Sequence, residues 1–112
     1  MNIRFKRSFE EQFAPGQGMN SCCYRLMGIL EQNIEYQDRT AAMKEGRKPR
    51  KCEIKKEYIS TGRNADLENF LRSVGISGDN FQAVALGKVP FTARQRADIS
   101  RALGVSEDAI WY

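Results

Sequence analysis

The 112-residue sequence predicts an all-α fold, a small helical bundle that carries one basic insertion. Three observations carry this. Apolar residues at Cys23, Leu26, Met27, Leu30 and Ile34 fall at i, i+3, i+4, i+7 and i+11, one face of a helix. The C-terminal half holds short apolar stripes, each preceded by Asn, Ser or Thr and followed by Gly, the start and stop signals of helices. Thr92 and Gln95 have the T-x-x-Q form of a capping box.

The chain is read as one domain, 1–112, in four parts. In the N-terminal extension, 1–18, Phe5, Phe9 and Phe13 recur every fourth residue and line a short helical stripe before "PGQG" breaks it. The first long helix, 19–45, is capped by Asn20 or Ser21 and stopped by Gly46. The basic insertion, 46–63, opens with the Pro-containing loop "GRKPRK". Its continuation "CEIKKEYIST" is ambiguous: Cys52 and Ile54 alternate as in a strand, while Ile54 and Tyr58 are one helical turn apart. The insertion is expected to be irregular or β-like.

From 64 to 112 the pattern sharpens. Asn64 caps a helix with Leu67, Phe70, Leu71 and Val74 inward, ended by Gly75. Ser77 caps a short helix with Phe81 and Val84 inward, ended at Gly87 and Pro90. The capping box opens a third, with Ile99, Ala102 and Leu103 inward before Gly104. Ser106 then caps a last turn in which Ile110 and Trp111 close the core.

Composition narrows the chemistry. The chain is 41% hydrophobic and 29% charged, with mean hydropathy −0.58, the balance of a water-soluble globular domain. It has no apolar run of membrane-spanning length and no export signal, so a cytoplasmic location is expected. Cys22, Cys23 and Cys52 form neither a disulfide framework nor a metal-ligand spacing, and they read as small buried hydrophobes. The absence of histidine removes the usual general base, so catalysis, a metal and a cofactor are not expected.

The formal charge is +4, and it is concentrated. Asp38 to Arg63 holds nine Lys/Arg against four acids, whereas 64–112 holds five against six. A block of this kind is a nucleic-acid footprint or a solvated loop.

The string from Leu67 to Trp111 resembles the Cro and phage-repressor (XRE-like) helix-turn-helix family. Gly75-Ile76-Ser77 matches the turn, Phe81 and Val84 the inward places of the second helix, Gly87-Lys88-Val89-Pro90 the exit, and "ISRALGVSEDAIW" the closing segment. The resemblance implies a DNA-binding transcriptional regulator from a phage or mobile element, a homodimer on a two-fold operator of double-stranded DNA. It implies base contacts from Asp79, Asn80, Gln82 and Ala83, and backbone contacts from Gly78 and Lys88. Two departures stand out: Leu71 occupies a place usually held by a small residue, calling for an altered crossing or a hollow opposite it, and the reading face has no cation.

Phosphate neutralisation supplies most DNA affinity, so the charge is expected from the insertion, as an arm bearing Arg47, Lys48, Arg50, Lys51, Lys55 and Lys56. The alternative is a protein-binding module that keeps the fold without specific DNA binding, using the acidic face and exposed aromatics such as Phe5, Phe9 and Phe91. Met19, Leu26, Leu30 and Ile34, or the terminal Ile110-Trp111-Tyr112, are candidate dimer surfaces.

Overall fold

The structure is a computed structural model that describes residues 19–111. The Phe5, Phe9 and Phe13 stripe and Tyr112 lie outside the described residues. Five α-helices follow in order: α1 (Ser21–Glu45), α2 (Ile54–Thr61), α3 (Ala65–Ser73), α4 (Gly78–Ala85) and α5 (Ala93–Leu103), then a 3₁₀ turn, Glu107–Ala109. The described residues contain no strand, and the fold is a helical bundle.

Helix α1 starts where Asn20 Oδ1 accepts the N–H groups of Cys22 (2.8 Å) and Cys23 (3.4 Å), satisfying donors that the helix itself leaves open. Cys23, Leu26, Met27 and Leu30 are buried, as their spacing predicts. These residues join Leu67, Leu71, Ile76, Phe81, Val84, Ile99, Leu103 and Ile110 in one core. Leu26 and Leu30 are therefore not available as a dimer surface. Burial pushes the Cys23 thiol up to about 12, with a smaller contribution from Cys22, so it stays a neutral thiol at ordinary pH.

The insertion differs from its expectation. Residues Ile54–Thr61 are helical, with Ile54 and Tyr58, one turn apart, both buried. The sequence hides this start because Glu53 provides no side-chain cap. The acceptor comes from elsewhere: Glu31 Oε2, on α1, takes the Lys55 N–H at 2.7 Å. Tyr58 then meets the ring of Phe81 edge to face, centroids 5.4 Å apart, which joins α2 to α4.

The next two helices are capped locally. Asn64 Oδ1 accepts from Leu67 N at 2.8 Å, and Ser77 Oγ from Asn80 N at 3.1 Å. Between them Gly75 turns the chain at φ +76°, where a side chain is strained, and Ile76 is drawn inside as its N–H bonds Leu71 O at 2.9 Å. Leu71 is buried and lines an open groove beside α4.

The capping box at Thr92 forms, with Gln95 N to Thr92 Oγ1 at 3.1 Å and Thr92 N to Gln95 Oε1 at 2.9 Å. Three expectations for this region change. Ala102 is exposed and Ser100 is buried instead, because its hydroxyl donates to Arg96 O (2.9 Å) and accepts from Trp111 Nε1 (2.9 Å). Ser106 makes no side-chain cap; the 3₁₀ turn closes through the backbone, Ala109 N to Ser106 O at 3.1 Å. Phe91 is not exposed but buried between Phe81 and Trp111, at centroid distances of 6.2 and 5.6 Å.

Candidate nucleic-acid interface

Helix α4 presents its first turn to the outside. Its apolar side, Phe81, Val84 and Ala85, is buried. Asp79 and Ala83, one turn apart, therefore share the outward stripe, flanked by Asn80 and Gln82. Gly78 and Asp79 are exposed, while Asn80, Gln82 and Ala83 are half-exposed. Asp79 lies in the positive first turn of the helix, which favours a carboxylate there. Gly78 has an ordinary backbone, and a Cβ at that position would meet nothing within 4 Å. Packing does not require glycine here; its effect is to leave the head of α4 bare.

The head of α4 forms one wall of an open groove of about 690 Å³, whose other walls are the end of α2 and helix α3. Leu67, Leu71, Ile76 and Phe81 line it internally; Thr61, Arg63, Arg72, Glu68, Asp79 and Gln82 line its polar parts. Arg63 is 80% exposed and pairs with Glu68 (Nε to Oε2, 3.2 Å), and Arg72 donates to Asn69 Oδ1 at 3.2 Å. Such exposed pairs hold their partners weakly, so both guanidiniums can turn toward an anion. Arg63 and Arg72 were not among the site residues read from the sequence, where Arg63 is the last cation of the basic segment and the charge of Arg72 is cancelled within 64–112, which holds five cations against six acids. Their positions, just before the Asn64 cap and three residues before Gly75, were the available signal.

The basic insertion is not an arm. After Gly46 the chain doubles back along α1, and three α1 carboxylates at i, i+4 and i+7 grip its backbone. Asp38 accepts the Arg50 N–H, Glu35 Oε2 accepts Cys52 N at 3.1 Å, and Glu31 Oε2 accepts Lys55 N. The Arg50 N–H first, and the Arg47 guanidinium next, hold the Asp38 carboxyl below its ordinary range.

The six predicted cations of this segment have separate fates. Arg47 sits between Asp38 (3.1 Å) and Glu45 (2.6 Å). Lys55 turns to α1, its Nζ 3.9 Å from Glu31 and 5.0 Å above the Tyr24 ring. Lys48, Arg50, Lys51 and Lys56 are exposed, as is Lys88 beyond the end of α4.

The structure thus brings Gly78, Asp79 and Gln82 together with Arg63 and Arg72, and keeps the loop cations apart from them. Helix α4 attaches to the start of α1, where Asn20 N donates to Ala85 O at 3.0 Å, and the loop attaches at Asp38. Those attachments are about 25 Å apart along α1, at 1.5 Å per helical residue.

Among the described residues no group of three or more His, Cys, Asp or Glu is arranged to hold a metal ion, and no helix is long and apolar enough to cross a membrane. The chain matches no family model, no curated protein and no solved structure.

Proposed function

We propose that this protein binds double-stranded DNA as a sequence-specific regulator of the Cro and phage-repressor kind, with α4 entering the major groove. The observation that carries the reading is the bare, outward head of α4, which shares one groove with two arginines, Arg63 and Arg72. In that placement Asn80 and Gln82 present amides suited to adenine N6/N7, and Asp79 accepts from cytosine N4. Gly78 lets a phosphate approach the open N–H groups of the helix head. Arg63 and Arg72, turned from their surface partners, neutralise the flanking phosphates. An acidic, glycine-headed helix is then a workable reader, because its cations stand on α3 and on the link before it.

The test is selection of bound sequences from a pool of random duplexes, with wild type and the Asn80→Ala/Gln82→Ala double variant. The expected result is an enriched motif for wild type and relaxed preference for the variant, each lost amide pair removing about 1–3 kcal/mol of discrimination. Absence of any enriched motif for wild type would refute the reading. The exposed Tyr36 (65%) and Met43 (84%) on α1 would then direct attention to a protein partner.

A further inference from the structure

We infer that Glu68 is a built-in competitor of DNA: in the free protein its carboxylate occupies the Arg63 guanidinium, and it must let go before Arg63 meets a phosphate. This deepens the proposed DNA-binding reading and rests on it.

The charged side chains that line the groove at the head of α4 are two cations, Arg63 and Arg72, and two acids, Glu68 and Asp79. Their formal charges cancel, so an approaching phosphate meets a neutral groove. The two arginines are not equally engaged. Arg72 donates to the neutral amide of Asn69 at 3.2 Å, which leaves its charge in place. Arg63 meets Glu68 with two donors, Nε to Oε2 at 3.2 Å and Nη2 to Oε1 at 3.5 Å, the fork-on-anion geometry by which arginine also takes a phosphate. One carboxylate therefore holds the edge of the guanidinium that DNA needs.

The exchange is confined to one side chain. The root of Arg63 is fixed: Thr61 Oγ1 accepts its N–H at 3.1 Å, the Gly62 N–H before it donates to Tyr58 O at 2.7 Å, and Asn64 after it donates through Nδ2 to Glu57 Oε1 at 2.8 Å. Glu68 is fixed as well, in the first turn of α3 with its N–H on Asn64 O at 2.9 Å. Beyond its root the Arg63 side chain is 80% exposed, against 29% for Glu68. Rotation about side-chain bonds frees the guanidinium while the backbone and the carboxylate stay where they are. The freed guanidinium gives up one anion for another, so Arg63 adds to DNA affinity only the difference between a phosphate and Glu68.

The experiment measures binding of a random DNA duplex by fluorescence anisotropy at about 50 mM salt, where phosphate contacts are strong, for wild type, Glu68→Gln, Arg63→Gln and the double variant. Circular dichroism melting checks that all four are folded. Glu68→Gln is expected to bind more tightly than wild type, and Arg63→Gln more weakly. Removing an acid beside DNA relieves repulsion in either background, so the comparison between backgrounds decides. The tightening by Glu68→Gln is expected to be about two- to fivefold greater with Arg63 present than in Arg63→Gln, the coupling of an exposed ion pair with this geometry.

Equal tightening in both backgrounds would reduce Glu68 to a repulsive charge and overturn the inference. Weaker binding by Glu68→Gln would overturn it too, since the carboxylate would then be orienting Arg63 toward the phosphate. So would failure of wild type to bind the duplex. The α4 reading fails separately: if selection returns no enriched motif while the excess tightening persists, the competition stands without sequence readout. If a motif is enriched and the excess is absent, only the competition falls.

Discussion

The two charged regions of this molecule are built in opposite ways. At the α3–α4 end each helix start is capped by a residue three positions away, Asn64 for Leu67 and Ser77 for Asn80, and the arginines there are held only by exposed surface partners. At the loop and α2 end the backbone is held by carboxylates 12, 17 and 24 residues distant, all on α1. The first end carries its own instructions. The second is a surface laid on α1, and it has its shape only while α1 is there to receive it.

The contact that couples the two ends is expected to give the largest effect. Phe81 is fully buried and packs against both Tyr58 of α2 and Phe91 ahead of α5. Phe81→Ala is expected to cost about 3–5 kcal/mol in urea denaturation, by lost transfer energy and a cavity. If the two ends are one cooperative unit, tryptophan fluorescence at Trp111 and helicity by circular dichroism will fall together; separate transitions would show that they unfold independently.

A smaller effect separates distant from local capping. Ser77→Ala and Glu31→Ala each remove one acceptor from a helix start and are each expected to cost about 1 kcal/mol. Their reach should differ. Ser77→Ala should raise amide exchange in the first turn of α4, whereas Glu31→Ala should raise it in α2 and leave α4 near wild type. Identical exchange patterns would break the distinction.

The smallest and most local effect is in acid. Asp38 has a folded pKa below its ordinary value of 3.8, so its grip on the loop is fully present above that value and is lost as pH falls through the lower, folded one. The Arg50 amide resonance is expected to shift with a midpoint below 3.8, and the shift should vanish in Asp38→Asn. The Gln95 amide, bonded to the Thr92 hydroxyl and flanked by Arg94 and Arg96, should show no comparable titration, since its acceptor gains no proton in this range.

Much of the fold was legible in particular residues. The Cys23–Leu30 stripe, the Asn20, Asn64 and Ser77 caps, the Thr92–Gln95 box and the Gly75 turn all depend on neighbours within a few positions, and each is found where the spacing puts it. The misreadings share a different cause. Ser100 replaces Ala102 inside because Trp111, 11 residues on, brings it an indole N–H. Phe91 is buried because two rings from other parts of the chain enclose it.

By itself, then, the sequence determined which segments start, stop and turn from Asn64 to Leu103, because caps, boxes and glycine turns are local and helical periodicity reports the buried face directly. Only the tertiary structure decided that the insertion is a loop and a helix clasped to α1, that Arg63 and Arg72 share a groove with the head of α4, and that the loop cations lie outside that groove. Those facts depend on hydrogen bonds and packing between residues far apart in the chain, which no local pattern encodes. Charge counts say how many cations a segment holds; the path of the backbone says which of them share a site.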